Sequence, residues 1–456
     1  MGGVFGAFDR KGKAVLEDIY LGLFALQHRG QESAGIAWIE EKETHTIKGM
    51  GLLHSAIDQS RLVGVPAHCA IGHVRYSQEG ASMIKNAQPL AAKYARGPVA
   101  IAHDGAITNG QGLMRFLEDK GAIFQSICDT ETILHLMAHQ SHKPPLDALL
   151  DSLRHLQGGF ALTVLLEDRL VAARDPWGFR PLVIGQRDDT LYVASESCAL
   201  DIVGATLIRD VEPGELIVID SNGITSLRIA DMPERGYACA FEYVYLARPD
   251  SFIDGRSVNS VRKEMGRRLA KRCPCTDADL VAGMPDSGTL AALGYAEESS
   301  IPFELAIVRN RYVGRTFIQP TQRVRDLGVR IKLNPISSIL SGKKAVIIDD
   351  SIVRGTTAQR VISMIRDSGA AEVHLRVASP PVRFPCYYGI DTPSSEHLIA
   401  ARMDISALKE DIGADSLAYL TLEDLIEAIG LPPCRLCTAC FDGEYLNGGG
   451  SHELGL

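Results

Sequence analysis

The sequence lacks any long apolar run. Within its 456 residues, none approaches the roughly 18 consecutive apolar residues of a membrane-spanning helix. The N-terminus lacks the charged and apolar regions of a signal peptide, and Gly6 stands where a myristoylation motif needs Ser or Thr. We therefore expect a cytoplasmic protein with no membrane partner.

An excess of positive charge is also missing. The chain carries 47 Lys and Arg against 56 Asp and Glu, a formal net charge of −9. Proteins whose main partner is a nucleic acid usually present a basic surface, so we expect no nucleic-acid partner. Internal repeats and low-complexity segments are absent too. The length exceeds what one hydrophobic core supports, which predicts at least two domains.

Disulfide bonds are not expected, because the ten cysteines belong to a chain assigned to a reducing compartment. Five of them lie in ordinary segments and are interpreted as core or surface thiols: Cys69, Cys128, Cys198, Cys273 and Cys275. Cys434, Cys437 and Cys440 are different, since each is separated from the next by two residues. That spacing is typical of a metal or iron–sulfur site, and taken alone it fits half of a zinc site equally well.

Two patterns divide the chain. Residues 1–232 are rich in strand patterns interrupted by helical ones, which predicts a layered α+β domain. Residues 233–456 alternate strands with helical faces, which predicts an α/β domain with a parallel sheet. The boundary is expected near residues 231–236. The expected strands are 70–74, 99–102, 161–166, 191–194 and 216–219 in the first part, and 280–283, 306–308, 345–348 and 373–377 in the second.

The most informative segment is 346–357. Its apolar run reads as a buried strand, and Asp349 and Asp350 stand where that strand ends. A short polar loop follows, and then an apolar face with helical spacing: Ala358, Val361, Ile362 and Ile365. A strand, a polar loop and a helix N-terminus together form a phosphate site, because free backbone N–H groups and the positive end of the helix dipole face the anion.

Paired aspartates add acceptors for two adjacent hydroxyls of a sugar, so the segment predicts a ribose 5-phosphate site. It resembles the phosphoribosyl-pyrophosphate (PRPP) signature of type I phosphoribosyltransferases. We assign Asp349 and Asp350 to the ribose hydroxyls and to Mg²⁺. The 5-phosphate is assigned to the loop residues Ser351, Arg354, Gly355, Thr356 and Thr357.

Two further segments complete this predicted site. The small-residue loop 283–288 follows a strand and resembles the family's pyrophosphate loop, with Asp286 binding substrate and Ser287 near the metal. By itself, the loop could be a simple turn between a strand and a helix. Residues 309–332 contain seven basic side chains against the single acid Asp326. Such a stretch is usually a solvated face, but here we favour a loop that closes over a polyanionic substrate, with Arg311, Arg315 and Lys332 contacting it.

Motifs at both ends of the chain resemble the amidophosphoribosyltransferase family. They are 26–32 (Leu-Gln-His-Arg-Gly-Gln-Glu), 72–76 (Gly-His-Val-Arg-Tyr), 241–245, 247–251 and 310–318. The resemblance implies a glutaminase half with an Ntn-hydrolase-like four-layer αββα sandwich, which supplies ammonia to a type I phosphoribosyltransferase half. The product is phosphoribosylamine, in the first committed step of purine biosynthesis. The resemblance also implies a homotetramer and purine nucleotide effectors.

Resemblance to the iron–sulfur branch of the family implies a [4Fe–4S] cluster on four cysteines. The matching positions are Cys239, Cys386, Cys437 and Cys440. Cys434 is then a spare thiol.

The glutaminase half departs from the family where its chemistry resides. The family's mature chain begins with a cysteine whose thiol attacks the glutamine amide while the α-amine serves as base. Here Gly2 occupies that position. The family's His-Asn-Gly supplies an oxyanion hole, and here it reads His-Asp104-Gly105. A carboxylate would repel the oxyanion, and losing one oxyanion-hole donor typically costs roughly 10²–10³ in rate. The two changes together predict loss of glutamine hydrolysis.

Other residues of that pocket are retained. Arg75 matches the family residue that binds glutamine's α-carboxylate, and Asp129 matches the one that binds its α-amine. We favour an inherited scaffold, in which Arg75 pairs with Asp104 or Asp129. The alternative is a pocket that binds an amino acid or another small ligand without hydrolysing it.

Three functions remain open from the sequence. The first is phosphoribosylamine synthesis from PRPP and free ammonia. The second is a specialised paralogue that transfers phosphoribose to another amine or nucleophile. The third is a silent PRPP-binding or nucleotide-binding regulator, which the intact PRPP segment disfavours.

Overall fold

The computed structural model describes residues 2–76, 82–230, 236–310, 312, 332–392 and 394–446. The first half contains two antiparallel sheets. One is built from β1 (Gly2–Asp9), β2 (Ser33–Glu40), β3 (Glu43–Met50), β4 (Cys69–Arg75), β9 (Val183–Arg187), β10 (Thr190–Ala194) and β11 (Thr206–Asp210). The other is built from β5 (Leu90–Tyr94), β6 (Gly97–Ile107), β7 (Gly158–Leu166), β8 (Arg169–Arg174), β12 (Glu215–Asp220) and β13 (Gly223–Arg228). Their spatial orders are β11-β9-β10-β1-β4-β2-β3 and β13-β12-β8-β7-β6-β5.

Helices cover the outer face of each sheet. Those of the first half span Leu16–Ala25, Leu53–Ala56, Gly110–Glu118, Glu131–His139, Pro145–Arg154 and Cys198–Ile202. Strand β1 shows the layering, because its side chains alternate between two faces. Val4 and Phe8 pack in the core between the sheets, whereas Phe5 and Ala7 pack against the helices Leu16–Ala25 and Cys198–Ile202. The other three long helices cover the second sheet. The predicted four-layer αββα sandwich is confirmed.

The second half is built on a parallel sheet. Its strands, in spatial order, are β17 (Leu280–Gly283), β20 (Lys344–Asp349), β21 (Glu372–Val377) and β22 (Ser416–Tyr419). Three two-stranded pairs accompany it: β14 (Ala238–Cys239) with β23 (Leu436–Cys437), β15 (Phe252–Ile253) with β16 (Arg256–Ser257), and β18 (Ile307–Arg309) with β19 (Leu333–Pro335).

Helices pack on both faces of the parallel sheet. They span Val258–Arg272, Thr289–Ser299, Ser337–Leu340, Thr356–Asp367, Ile399–Arg402, Ile405–Ile412, Leu422–Ile429 and Ala439–Asp442, with a π-helical turn at Glu242–Leu246. Within β20, Val346 and Ile348 belong to one core cluster and Ala345 and Ile347 to the other. Both faces of the strand are therefore buried, which is why its sequence is a continuous apolar run.

One strand prediction for the second half is wrong. Residues 306–308 were expected in the parallel sheet, but β18 pairs antiparallel with β19 instead. Phe303 forms only an isolated parallel bridge to Val281, and Val308 is half exposed. After Phe303 the chain therefore leaves the edge of the parallel sheet at β17, before the apolar residues 306–308. The expected domain boundary falls at residues 231–235, outside the described part of the chain, and stays a prediction. Across the described residues, no helix combines the length and apolarity needed to cross a bilayer.

Candidate active site

Two loops meet at the carboxyl edge of the parallel sheet. Strands β17 and β20 are direct neighbours, with Gly283 paired to Ile348. The Met284 N–H donates to the Ile348 carbonyl at 2.8 Å, which carries the pairing one residue past β17. The segments after these strands are the predicted pyrophosphate loop and the predicted ribose-phosphate loop. The structure thus brings together two motifs that lie more than sixty residues apart in the sequence.

Asp349 and Asp350 are both buried at this edge. Ser287 and Ser351 each donate a hydroxyl to Asp350, at 2.5 Å and 2.7 Å, and the Asp350 N–H donates to Asp349 at 3.0 Å. Burial and the neighbouring Asp350 charge raise the pKa of Asp349 well above its ordinary value. Two adjacent carboxylates in one buried site are stabilised by a shared proton, a cation or donating hydroxyls.

The ribose-phosphate loop leads into the helix Thr356–Asp367. The four apolar residues that predicted this helix are its buried residues. Gly355 is buried with φ +78°, a conformation that favours glycine, and it turns the chain into the first helical turn. Arg354, Thr356 and Thr357 are exposed around that turn. A phosphate placed there would meet exposed donors at the positive end of a twelve-residue helix.

The pyrophosphate loop is held from its other side by an arginine. Arg309, at the end of β18, donates to the Asp286 carboxylate at 2.7 Å. Lys332 lies at the far end of the basic stretch, where its carbonyl accepts the Asn310 N–H at 2.8 Å. The predicted substrate-contacting arginines Arg311 and Arg315 lie outside the described residues, as does most of the predicted closing loop.

In the first half, Gly2 lies at the start of β1 beside the ring of His73. A Cβ on Gly2 would overlap His73 Nε2, so a side chain could enter only if the ring moved. His73 is fully buried, and its Nε2 lies 3.0 Å from the His103 carbonyl oxygen. Burial, together with the nearby Arg75 charge, lowers the pKa of His73 to about 3. The space next to residue 2 is therefore filled by a neutral imidazole.

Asp104 does not face an open pocket. Its carboxylate accepts the Gly2 N–H at 2.9 Å and pairs with Arg29 at 2.9 Å and Arg180 at 3.2 Å. Burial alone would raise the pKa of Asp104, but the charges of Arg180 and Arg29 hold it below its ordinary range. The expectation that Arg75 pairs with Asp104 is therefore wrong, because two other arginines neutralise this carboxylate.

The remaining pocket residues have mostly backbone partners. Arg75 donates to the Asn86 carbonyl at 2.9 Å. Asp129 accepts the N–H groups of Ile107 and Thr130 at 2.7 Å and 2.9 Å. Within the described residues, no ion pair joins Arg75 to Asp129, so that expected pairing is not formed either. Gly105 lies within β6 with φ +142°, a conformation that favours glycine, and a Cβ there would overlap the Gly159 carbonyl.

Four cysteines surround one pocket in the second half. Its lining includes Cys239, Cys386, Cys437 and Cys440. Strands β14 and β23 place Cys239 directly beside Cys437, and the Cys440 carbonyl accepts the N–H groups of Arg383 and Phe384. Cys434 is exposed, as expected for a spare thiol. Within the described residues, no three His, Cys, Asp or Glu side chains form a group suited to a single metal ion.

No sequence motif predicts a role for the buried charges that surround Asp104. Arg29 lies in the motif 26–32 and Glu242 in the motif 241–245, and both motifs indicate only the family resemblance. Arg180 and Glu196 lie outside these motifs. The burial of these four charged residues is hard to predict from sequence, because a charged residue in a strand or turn is ordinarily solvated. Only the fold shows that they are buried together.

Comparison with known proteins agrees with this architecture over the whole chain. Residues 73–201 match a glutamine amidotransferase domain. The chain is 47% identical to the amidophosphoribosyltransferase of Mycobacterium tuberculosis, over 97% of this chain and 86% of that protein. It is 48% identical to the chloroplastic enzyme of Glycine max, over 93% of this chain and 75% of the relative.

A solved structure matches equally well. The glutamine PRPP amidotransferase of B. subtilis, complexed with ADP and GMP, superimposes with a TM-score of 0.91 at 44% identity. The match covers 97% of both chains. The chain therefore belongs to the amidophosphoribosyltransferase family, whose members are pentosyltransferases with an Ntn-type amidotransferase half and a phosphoribosyltransferase half.

Proposed function

We propose that this protein forms 5-phosphoribosylamine and pyrophosphate from PRPP with free ammonia as the nitrogen donor. Glutamine is not hydrolysed in its N-terminal half. The observation that carries this proposal is the contrast between the two sites. The residues assigned to the ribose and its phosphate lie together after β20, whereas Gly2 has no nucleophilic side chain and the Asp104 carboxylate is paired with two arginines.

The transferase chemistry needs positioning and charge rather than a protein nucleophile. Asp349 and Asp350 would accept the two ribose hydroxyls and fix the sugar. The helix N-terminus at Thr356 would hold the 5-phosphate. The pyrophosphate loop would hold the leaving group through the Ser287 hydroxyl, while positive charge develops at the ribose carbon. Asp286 would act on the substrate through Arg309, which it keeps beside the loop. Ammonia then forms the new C–N bond as the C–O bond to pyrophosphate breaks, and the product amine loses a proton to solvent.

Mg²⁺ fits this site because carboxylate and hydroxyl oxygens converge there and because such ions are typically held by one or two carboxylates plus substrate phosphates. Ser287, Asp349 and Asp350 would hold it, and when bound it supplies the positive charge that stabilises departing pyrophosphate.

A [4Fe–4S] cluster fits the four cysteines. Burial and the proximity of the other thiols raise the pKa of both Cys437 and Cys440, so four thiolates can coexist there only around positive charge. The four cysteines line one pocket, and the resemblance to the iron–sulfur branch of the family favours a cluster over zinc. When bound, the cluster would cross-link β14, β23 and the Cys386 segment.

Two serine substitutions test the cluster. Cys437→Ser should abolish the visible absorbance of iron–sulfur charge transfer and lower the melting temperature. Cys434→Ser is the matched control, since this thiol is exposed and lies three residues away. Equal loss of absorbance in both variants would contradict the ligand assignment.

The decisive experiment on the nitrogen donor measures pyrophosphate release from PRPP with ammonium or with glutamine. We expect turnover with ammonium only, at a rate that rises with pH because only unprotonated ammonia has a free lone pair. Robust glutamine-driven turnover would overturn the proposal. Turnover with another amine alone, identified by product mass spectrometry, would indicate a specialised paralogue, and binding of PRPP without turnover would indicate a regulator. Asp349→Asn is the inactive control.

Regulation and assembly follow the family. The B. subtilis relative was solved with ADP and GMP, and we propose that purine nucleotides modulate this protein and that it assembles as a homotetramer. Inhibition of ammonium-driven turnover by these two nucleotides, and the mass of the protein in solution, test the two statements separately.

A further inference from the structure

A buried cluster of charges joins the two halves of the molecule. It consists of Arg29, Asp104, Arg180, Glu196 and Glu242, each at most 1% exposed, and is called the interdomain charge cluster. The first four belong to the amidotransferase half, and Glu242 belongs to the phosphoribosyltransferase half. Arg29 donates to all three carboxylates, at 2.9 Å to Asp104, 2.6 Å to Glu196 and 2.8 Å to Glu242.

Arg180 depends on only two of these carboxylates. It pairs with Asp104 at 3.2 Å and with Glu242 at 2.9 Å. Its Nε and Nη1 atoms are buried and have no hydrogen-bond partner among the described residues. A buried guanidinium that is only partly satisfied is costly, so the charge supplied by Asp104 is not readily replaced.

An asparagine could not reproduce the contacts of Asp104. One carboxylate oxygen accepts from the Gly2 N–H and the other from Arg29, while Arg180 approaches both. An amide has a single acceptor oxygen, and its NH₂ group would have to face one of these donors. In this chain, the aspartate at the oxyanion-hole position therefore accepts from donors that an amide would leave partly unpaired.

Glu242 connects the cluster to the transferase site. It begins the π-helical turn Glu242–Leu246, whose Tyr243, Val244 and Leu246 pack in the same core cluster as Val346 and Ile348 of β20. That strand ends in Asp349. Buried Arg262 donates to the carbonyls of Tyr243 and Ala247, both at 2.8 Å, and so fixes the turn against the helix Val258–Arg272.

We propose that Asp104 is a positioning residue for the phosphoribosyltransferase site. Through Arg29 and Arg180 it fixes Glu242, and through Glu242 it fixes the turn that packs on the helix Val258–Arg272 and shares a hydrophobic core with the strand carrying the ribose-binding aspartates. This inference rests on the proposed function, in which the former oxyanion position has no task in glutamine hydrolysis. Asp104 thus stabilises the ribose-binding geometry from the opposite half of the molecule.

The test compares Asp104→Asn with Glu215→Gln in the full-length, cluster-loaded protein. Glu215 is the matched control because it is buried and ion-paired, to Arg209 at 2.7 Å, in the amidotransferase half and away from the interdomain charge cluster. For each variant, the KM for PRPP and kcat are measured with saturating ammonium, PRPP affinity is measured calorimetrically with Mg²⁺, and the melting temperature is recorded.

We expect Asp104→Asn to raise both the KM and the dissociation constant for PRPP about tenfold, and to change kcat by less than about twofold. A tenfold weaker affinity corresponds to the binding free energy of one hydrogen-bonded contact. Glu215→Gln should lower the melting temperature at least as much and leave the KM unchanged. The effects of Asp104→Asn and Glu242→Gln should not add, because both break one linkage.

Equal KM values in Asp104→Asn and wild type, or additive effects with Glu242→Gln, would overturn the inference. If Asp104→Asn fails to fold, Arg180→Lys replaces it, since lysine keeps the charge but lacks the fork that spans two carboxylates. If the wild-type protein does not turn over with ammonium, the donor proposal fails by itself, and the calorimetric PRPP affinities still decide the role of Asp104.

Discussion

Residue 2 is a glycine, and the neighbouring groups pack directly against its backbone. The His73 ring fills the space on one side, the Arg29 Nε–H donates to the Gly2 carbonyl at 3.0 Å, and Asp104 accepts the Gly2 N–H. A thiol restored there would meet a displaced imidazole and a carboxylate instead of an oxyanion hole.

We therefore predict that Gly2→Cys does not restore glutamine hydrolysis. The new Cβ should also destabilise the fold by about 1–3 kcal/mol, because the buried His73 ring must move. Glutamate release from glutamine and urea unfolding provide the two readouts. Gly2→Ala is the control: it carries the same Cβ without the thiol and should lose the same stability. Glutamine turnover by Gly2→Cys would contradict the assignment of Asp104 as a blocking residue.

His73 makes stability depend on pH. Burial holds its pKa at about 3, so the folded state stays neutral while the unfolded state takes up a proton below its ordinary pKa near 6.5. The unfolded state then binds more protons, and stability falls as the pH is lowered. We predict a loss of up to about 1.4 kcal/mol per pH unit below about pH 6, measured by chemical denaturation. His73→Gln should flatten this slope, and an unchanged slope would contradict it.

At the scale of single elements, the ribose-phosphate loop depends on one glycine. Gly355 has φ +78°, and a Cβ there would only touch Ile399 at 3.4 Å, so the cost of a side chain is conformational rather than steric. We predict that Gly355→Ala raises the KM for PRPP several-fold and destabilises the protein by about 1–2 kcal/mol. Gly342→Ala is the matched control: its φ is +70°, it has open space, and it lies away from the substrate loops. An equal rise in KM for both variants would contradict the prediction.

Elements with a regular burial pattern could be predicted from the sequence. The strand 345–348, its carboxylate pair and the face that begins at Ala358 were all read correctly, because a doubly buried strand and an amphipathic helix leave distinct periodicities. Strand β18 was misplaced because three apolar residues do not specify a neighbour. The partners of Asp104 could not be predicted, because Arg29 and Arg180 reach it only through tertiary contacts between distant segments.

At the scale of the whole molecule, buried polar contacts clamp the segment after residue 241. Glu196 accepts from the Arg248 N–H and the Ser251 hydroxyl, at 2.9 Å and 2.7 Å, and Arg174 pairs with Asp254 at 2.7 Å. Together with Glu242, these contacts fix the start of the transferase half to the amidotransferase half. The N-terminal half therefore has a structural role that does not depend on glutamine hydrolysis.

This coupling predicts cooperative unfolding. Glu242→Gln removes a carboxylate from both Arg29 and Arg180, and breaking a buried ion pair typically costs about 3–5 kcal/mol. We expect the variant to be destabilised by this order and its unfolding to separate into two transitions, detected by circular dichroism and by the fluorescence of Trp38 and Trp177. A single transition at the wild-type midpoint would show that the two halves do not depend on this contact.

The placement of Asp104 also bears on the history of the molecule. Recovering glutamine hydrolysis would require a cysteine at position 2, a different position for the His73 ring and an amide at position 104. If Asp104 supports PRPP binding, as proposed, replacing it with asparagine would weaken phosphoribosyl transfer before glutamine hydrolysis could return. A return to glutamine hydrolysis would then need several changes at once, and under the proposed function the chain depends on an external source of ammonia.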